Sequence, residues 1–154
     1  MRRGQASAPF DDEGVATEPR DVVRGGVVQG YFLGSYSARK LGLASTANAG
    51  GNHNLLVSHD DADLPALLRR MGRGVMVTEL LGQGVNTVTG DYSRGAAGYW
   101  IEDGEIAYPV EEITIAGNLG RMYRDIVAIG NDVDRRGSRH CGSILIGAMT
   151  VAGN

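Results

Sequence analysis

The 154-residue chain has one cysteine, Cys141, and no long run of apolar residues. A single cysteine excludes a disulfide within the chain, which fits a reducing compartment such as the cytosol. It also excludes a zinc site built from several thiolates of this chain. No apolar stretch approaches the roughly 20 residues of a membrane-spanning helix. Arg2 and Arg3 are not followed by an apolar segment, so no secretory signal is expected.

An excess of positive charge is also missing. Lys and Arg number 15 against 18 Asp and Glu, which gives a net charge of −3. Because nucleic-acid-binding proteins usually present a basic face, a nucleic-acid partner is not expected. The hydrophobic content of 42% is ordinary for a globular protein. We therefore expect residues 1–154 to form a single domain with its own core, with residues 1–8 disordered.

Glycine is abundant, at 24 residues, and lies between short apolar runs. This placement is typical of tight turns, bulges and close backbone contacts, and it favours a β-rich fold. Alternating or β-branched segments predict strands, and Gly-Gly or Asp-Gly between two of them predicts a hairpin. The predicted strands are residues 22–23 and 27–33, 53–58, 75–81, 99–102 and 105–108, 111–116, and one or two strands within 141–151.

Three segments predict short helices that begin at a capping side chain. Apolar residues recur on one helical face in the last of them, from Leu119 to Ala128. The three are residues 35–42, capped by Ser35 and ended by Gly42; residues 64–71, capped by Asp63; and residues 119–128, capped by Asn118. Together these patterns predict an α+β fold, mainly antiparallel β-sheet with two or three short helices.

Residues 90–106 combine a hairpin with a polar segment. Asp103-Gly104 is a preferred two-residue turn because both positions need a positive φ. Before the hairpin, a Gly/Ala-rich loop is predicted to carry four hydrogen-bonding side chains, and small residues there let another backbone come close. A polar loop beside a rigid hairpin suits recognition, and a solvated connection is the alternative. The four residues are Asp91, Tyr92, Ser93 and Arg94.

Few residues suggest catalysis or metal binding. His53, His59 and His140 are the only histidines, and none belongs to a His-Glu-x-x-His motif. One extended strand could turn His53 and His59 to the same face, but the pair alone does not make a metal site. Cys141 follows His140, and neighbours on a strand point to opposite faces, so a direct thiolate–imidazole pair is not expected. No catalytic residue is predicted from these patterns.

Several sequence blocks, in order along the chain, resemble the TldD/PmbA family. The resemblance runs from Pro9 to Gly153, and residues 90–106 read like the PmbA (TldE) branch. The chain is therefore similar to the C-terminal part of a PmbA/TldE-like subunit. The blocks are PFDDEG (residues 9–14), GYFLGSYSARKLG (30–42), NAGG (48–51), GQGVN (82–86), the whole of 90–106, ITIAGNL (113–119) and GND (130–132).

The resemblance implies a function that the residues alone do not. TldD and TldE of this family form a cytoplasmic, heterodimeric zinc metallopeptidase that digests unfolded peptides. The TldD branch carries His-Glu-x-x-x-His and a cysteine as zinc ligands, whereas the TldE branch lacks the histidine motif and is non-catalytic. For this chain the resemblance implies no catalytic residue and no cofactor of its own, with zinc held by a TldD-like partner. It also implies that the chain contacts the substrate or the partner through Asp91, Tyr92, Ser93 and Arg94.

Two other functions stay open. Cys141 lies near the place where the TldD branch has its cysteine ligand, so a zinc-binding hydrolase domain using Cys141 is the first alternative, although its histidine ligands would have to come from elsewhere. Direct modulation of DNA gyrase, an older label of the family, is the second, and the negative net charge argues against it. A chain that resembles only a C-terminal part is also expected to be a piece of a longer protein.

Overall fold

The computed structural model describes residues 4–153, and the chain divides into two compact units. The first unit contains the residues up to Leu56 together with Arg135–His140, and the second contains Val57–Asp134 and the residues from Cys141 onward. The expected disorder of residues 1–8 falls partly on 1–3, outside the described residues. Gly4 and Ala6 donate backbone hydrogen bonds to Ser7 and Asn54. The disorder and the single domain stay predictions.

The described residues form three helices and mostly antiparallel strands, which confirms the predicted α+β class. None of these helices is long and apolar enough to cross a membrane. The helices are α1 (Ser35–Leu41), α2 (Leu64–Met71) and α3 (Leu119–Arg124). The strands are β1 (Val23–Arg24), β2 (Val27–Val28), β3 (Leu55–Leu56), β4 (Gly74–Leu81), β5 (Asp91–Glu102), β6 (Glu105–Asn118), β7 (Ile126–Ile129), β8 (Arg139–His140), β9 (Ile144–Ile146) and β10 (Thr150–Ala152).

Strands in the first unit are short. The predicted hairpin of β1 and β2 is present, with Val23 opposite Val28, but residues 29–33 do not extend it as predicted. The strand predicted over 53–58 shrinks to β3, which pairs in parallel with β8. Parallel pairing joins segments far apart in sequence, so local alternation could not set the length of β3.

Helix α1 is capped by a remote residue. Gly34 occupies the N-cap position and makes no side-chain cap, so the prediction that Ser35 caps the helix is wrong. Instead the Ser35 N–H donates to the Glu13 carboxylate at 2.7 Å. A carboxylate at a helix N-terminus satisfies an unpaired N–H and complements the helix dipole. Gly42 ends α1 in a left-handed conformation, as predicted.

Asp11 organises the backbone around it. It is only 4% exposed, and its carboxylate accepts hydrogen bonds from the N–H groups of Glu13, Val15 and Ala49. Burial opposes ionisation of Asp11, but these hydrogen bonds outweigh it, and nearby His53 adds to them. The pKa of Asp11 is therefore lowered.

The second unit is built on a four-stranded antiparallel sheet in the order β10-β6-β5-β4. Strands β5 and β6 form the predicted hairpin, and Asp103 and Gly104 both have positive φ, at 52° and 78°. Ala96, Ile113 and Ile115 are buried in the core of this sheet. The sheet bends where two bulges lie on either side of Ala97 in β5. One bulge is in β4 next to Thr78, and the other is in β6 before Ile113.

Helix α2 follows its sequence prediction closely. The Asp63 carboxylate accepts a hydrogen bond from the Ala66 N–H at 2.9 Å, which confirms the predicted cap. Leu67 is buried with Ala128 and Leu145 in a second core cluster. The bounds of α2 were predictable because both its cap and its apolar face lie within the segment itself.

Helix α3 is shorter than predicted. The Asn118 side chain accepts from the Gly120 N–H, which confirms the cap, but the helix ends at Arg124 and the prediction that it reaches Ala128 is wrong. The following residues form β7, which pairs with β9. They are mostly β-branched, which favours a strand once a partner is available, although their apolar spacing also fits a helical face.

Candidate functional site

The four residues predicted as a recognition loop lie in a strand. Asp91, Tyr92, Ser93 and Arg94 begin β5 and pair with residues of β6, so the loop prediction is wrong. The small residues around them serve close strand contacts instead. A side chain on Gly98 would meet the carbonyl oxygen of Met76 on the neighbouring strand.

Strand alternation divides these four side chains between two faces of the sheet. Asp91 and Ser93 are exposed, whereas Tyr92 and Arg94 are half-buried. The structure therefore does not bring all four together, and one ligand cannot contact them as a single cluster. Their assignment as substrate or partner contacts stays a prediction.

Asp91 belongs to a local polar network. Its carboxylate accepts hydrogen bonds from the Thr89 hydroxyl at 2.7 Å and from the Asn118 amide at 3.4 Å. The Asn118 amide also donates to the Thr89 carbonyl oxygen at 3.0 Å. These bonds tie the start of β5 to the end of β6, so Asp91 supports the backbone at this point.

Tyr92 and Arg94 also contact the protein itself. Tyr92 packs against the cluster of Ala96, Ile113 and Ile115. The Arg94 guanidinium donates to the carbonyl oxygens of Leu80 at 3.3 Å and Leu81 at 3.5 Å.

Ser93 is the member best placed for outside contact. Its backbone N–H donates to the Gly84 carbonyl oxygen at 2.7 Å, which fixes the main chain. Its side chain is exposed, with a hydroxyl that can donate and accept. Of the four predicted residues, Ser93 therefore keeps the strongest structural case for contacting another molecule.

A shallow cleft lies at the bulged level of the same sheet. It has a volume of about 300 Å³ and is lined in part by Thr78, Tyr99, Pro109 and Glu111. Glu112, next to it, has a φ of 55°, a rare value for a residue with a side chain. Two of its lining residues, Thr78 and Glu111, belong to the bulged positions of β4 and β6.

A second cleft, also of about 300 Å³, lies between residues 58–60 and β7. The His59 ring contacts the Asp60 carbonyl oxygen through Nδ1 at 2.9 Å. The Asp60 carboxylate accepts from the Ile129 N–H at 3.0 Å. Both polar side chains are thus engaged by the backbone around the cleft.

The three histidines contact separate backbone carbonyl groups. The His53 ring lies 3.0 Å from the Ala47 oxygen, and the His140 ring lies 3.1 Å from the Gly137 oxygen. His53 and His59 do not share a strand, because β3 covers only two residues between them. The same-face arrangement considered for this pair is therefore absent.

Cys141 is half-buried beside acidic residues. Its backbone bridges to Asp134, and its Sγ donates to the Gly142 carbonyl oxygen at 3.2 Å. Burial raises the pKa of the Cys141 thiol, and the nearby Asp132 carboxylate raises it further. Both effects favour the neutral thiol over the thiolate that binds metals.

Zinc bound by a protein usually has at least three protein ligands. Among residues 4–153, no three His, Cys, Asp or Glu side chains lie close enough to hold a metal ion. The donor groups of this part of the chain therefore do not fit a zinc site by themselves.

The Asp132–Ser143 pair was not predicted from the sequence. The Asp132 carboxylate accepts from the Ser143 N–H at 2.9 Å and from the Ser143 hydroxyl at 2.6 Å. Burial opposes ionisation of Asp132, but the bonds from Ser143 outweigh it and its pKa is lowered. Two glycines next to the pair could have indicated it, since side chains on Gly130 and Gly142 would overlap atoms of this loop.

Sequence comparisons relate the chain to metalloproteases. The model of the "PmbA/TldA metallopeptidase C-terminal domain" matches residues 1–153. Metalloprotease PmbA of Escherichia coli O157:H7 is 56% identical over 99% of this chain and 34% of its own length. The PmbA homolog of Haemophilus influenzae is 53% identical, and the match covers 100% of this chain and 34% of the homolog. The TldD homolog of the same organism is 26% identical, and the match covers 76% of this chain and 26% of that homolog.

Solved structures share the fold. A Thermotoga maritima protein proposed as a modulator of a DNA gyrase is 41% identical with a TM-score of 0.87, over 97% of this chain and 36% of that one. TldE from Thermococcus kodakarensis is 24% identical with a TM-score of 0.79, and the match covers 95% of this chain and 36% of that one. At this identity the likeness shows the fold alone. The chain spans about a third of the length of the curated relatives it matches.

Proposed function

The chain belongs to the PmbA/TldA metallopeptidase family as its C-terminal domain, and we propose that it is the C-terminal domain of the non-catalytic, PmbA/TldE-type subunit of a heterodimeric zinc metallopeptidase. In this proposal a TldD-like partner holds the zinc ion, unfolded peptides are the substrates, and the location is cytoplasmic. One observation carries it: within Haemophilus influenzae, the PmbA homolog is 53% identical and the TldD homolog only 26%.

The chemistry of the available donors supports a non-catalytic role. The three histidines contact separate backbone carbonyl oxygens. The raised pKa of Cys141 makes its thiolate costly to form near neutral pH. A hydrolase that relied on Cys141 would need its other ligands from outside residues 4–153 and would also have to offset this cost.

Within the complex, we assign the sheet of the second unit a supporting role beside the partner's catalytic site. Ser93 would contact the peptide or the partner, because its side chain is exposed on a strand fixed at both sides. Asp91, Tyr92 and Arg94 would hold that strand in place through the contacts described above. Recognition through a rigid strand needs little ordering on binding.

The proposal is tested with the chain, a TldD-like subunit from the same genome, and their mixture. Zinc content is measured by mass spectrometry and peptidase activity with a fluorescently labelled unfolded peptide. We expect zinc in the TldD-like subunit, none in stoichiometric amount in this chain, and the highest peptide hydrolysis in the mixture. Cys141→Ser should leave the zinc content of the mixture unchanged.

The opposite results would overturn this assignment. Stoichiometric zinc in the chain alone, lost in Cys141→Ser, would establish the hydrolase alternative instead. A mixture no more active than the TldD-like subunit alone, with no co-elution of the two proteins, would exclude the heterodimer.

Modulation of DNA gyrase is a second candidate, favoured by the descriptions of solved relatives such as the Thermotoga maritima protein. A direct effect through DNA would require binding that weakens steeply with salt. The net charge of −3 opposes such binding. A DNA titration at low and high salt tests it, and we expect no binding at either concentration.

A further inference from the structure

Negative charge is concentrated on three strands of the four-stranded sheet. Strands β4, β5 and β6 contain six carboxylates and a single basic residue, Arg94. The Arg94 guanidinium already donates to carbonyl oxygens of β4. Because the net charge of the whole chain is −3, the remainder of the chain is slightly basic. The six carboxylates belong to Glu79, Asp91, Glu102, Glu105, Glu111 and Glu112.

Three of these carboxylates flank Ala97 of β5. On β4, Glu79 pairs with Ala97. On β6, the bulge places Glu111 and Glu112 opposite Ala97, between the pairs that the two neighbours of Ala97 form. All three glutamates are exposed. Among residues 4–153, none of the three carboxylates makes a hydrogen bond or an ion pair.

This arrangement leaves the charge of the three glutamates uncompensated. Like charges on neighbouring strands repel one another and destabilise a sheet. A cation placed between the two outer strands would replace that repulsion with attraction. Ala97, on the middle strand, has only a methyl group, so its small side chain leaves space for such a cation.

The cleft at the bulges lies at this place and adds an aromatic ring. Thr78, Ala97, Tyr99 and Glu111 are among the residues that line it. Tyr99 is 38% exposed, and strand alternation puts its side chain on the same face of the sheet as that of Ala97. The face of an aromatic ring attracts the cations of lysine and arginine. No lysine or arginine of the described residues lines the cleft.

The same face of β5 continues to Ser93. Ser93, Ala97 and Tyr99 share one face because the extra residues of both bulges belong to β4 and β6, so alternation along β5 is unbroken. Ser93 and Ala97 are four positions apart, or roughly 13 Å at about 3.4 Å per residue. An extended peptide of about five residues therefore reaches from Ser93 to the cleft.

We propose that this face binds an extended peptide and that the cleft takes a lysine or arginine side chain of that peptide. The cation would lie between Glu79 and Glu111 and against the Tyr99 ring. Charge complementarity carries the inference, because the face is acidic and has no cation of its own among the described residues. It rests on the proposed function and names its substrate class, peptide segments that carry basic residues.

The test measures binding to the purified chain, without a partner subunit or zinc. Three fluorescein-labelled Gly/Ser peptides of the same length are compared by fluorescence anisotropy, with two lysines, two norleucines or two glutamates at the centre. We expect the lysine peptide to bind about tenfold more tightly than the norleucine peptide, and the glutamate peptide not to bind. Binding of the lysine peptide should weaken as the salt concentration rises.

Single substitutions locate the site. Glu79→Gln, Glu111→Gln and Tyr99→Leu should each weaken binding of the lysine peptide about two- to fivefold. Glu102→Gln is the matched control: it removes the same charge from the opposite face of β5, at the hairpin turn, and should leave the dissociation constant unchanged. Because Glu79→Gln and Glu111→Gln each remove a repulsion, the free energy of unfolding should stay the same or rise.

Several results would overturn the proposal. Equal binding of the lysine and norleucine peptides, or no binding of either, would show that the face does not select cations. An effect of Glu102→Gln as large as that of Glu111→Gln would assign binding to net charge alone. A loss of stability in Glu111→Gln would assign that glutamate a structural role instead.

Hydrolysis separates this proposal from the proposed function. If the mixture with a TldD-like subunit hydrolyses the lysine and norleucine peptides equally, the peptidase stands and the selective cleft is excluded. If the chain alone binds the lysine peptide selectively but the mixture is no more active than the TldD-like subunit, the cleft stands and the heterodimeric peptidase is excluded.

Discussion

The two compact units of the chain fix their backbones by different means. In the first unit, the named strands are two residues long, and carboxylates of Asp11 and Glu13 bind backbone N–H groups far along the chain. In the second unit, strands of eight to fourteen residues enclose buried aliphatic side chains. The second unit also has carboxylates that accept from backbone N–H groups, Asp60 and Asp132, but its long strands and buried side chains should make it respond mainly to changes of packing. The first unit should respond mainly to charge and pH.

The largest effect is expected from a cavity in the second unit. Ile101 is fully buried at 0% exposure, so Ile101→Ala should lower the free energy of unfolding by about 2–5 kcal/mol. Urea unfolding followed by the fluorescence of Trp100, the single tryptophan, measures it. Val23→Ala in the exposed hairpin of the first unit is the control and should cost less than about 0.5 kcal/mol. Equal losses would contradict the packing difference.

Acid should act on the first unit through Asp11. Its pKa is lowered in the folded chain, so its stabilisation is present above the unfolded value of 3.8 and is lost as the pH falls through the folded pKa. The protection factor of the Ala49 amide should therefore fall as the pH drops through the folded pKa of Asp11, while β6 amides stay protected.

Asp11→Asn sharpens the acid prediction. An asparagine oxygen can keep the bonds from Glu13 and Val15, but its NH₂ group would face the Ala49 N–H, two donors together. In this variant the Ala49 amide should have a low protection factor at neutral pH, and the protection factor should change little further in acid. A variant with the wild-type pH profile would show that another group controls this loop.

Two glycines, one in each unit, allow a matched comparison in which the expected losses of stability are smaller. Gly26 and Gly104 both have positive φ, at 77° and 78°. A side chain on Gly26 would meet nothing within 4 Å, whereas one on Gly104 would lie 2.8 Å from the Arg69 Cα. We expect Gly26→Ala to cost about 1 kcal/mol and Gly104→Ala about 2 kcal/mol or more in calorimetric unfolding. Equal costs would show that α2 moves away from the turn.

The smallest effect on stability is expected at Ser93. Ser93→Ala removes an exposed hydroxyl and should change the free energy of unfolding by less than about 0.5 kcal/mol. If Ser93 contacts substrate, peptide hydrolysis by the mixture with a TldD-like subunit should fall several-fold in Ser93→Arg, while Ser58→Arg, at an exposed serine beside β7 and outside this sheet, should change it less. Unchanged hydrolysis in Ser93→Arg would remove Ser93 from the contact surface.

Sequence patterns predicted the elements whose determinants are local. Helix α2 carries its own cap in Asp63, and the hairpin turn needs only Asp103 and Gly104, so both were correct. The end of α3 was wrong because the segment after it pairs with β9, which is distant in sequence. The Ser35 cap was wrong because the acceptor comes from Glu13, more than twenty positions earlier.

The candidate site was harder to predict than the fold. Glycine and alanine around Asp91 suggested a loop, but small residues also occur where strands pack closely, and only the neighbouring strand distinguishes the two. The Asp132–Ser143 pair joins residues eleven positions apart and has no periodicity to reveal it. The family assignment depended on whole blocks of sequence in a fixed order, and rules based on the spacing of residue types do not capture such blocks.

Arg94 has a consequence for how easily β4 and β5 can separate. The ends of paired strands usually open before their middles. At this end, Leu80 pairs with Ala96 and Leu81 pairs with Gly95, and the Arg94 side chain reaches from β5 to the carbonyl oxygens of Leu80 and Leu81. Arg94 thus adds side-chain bonds between the two strands at the place where main-chain pairing alone would open first.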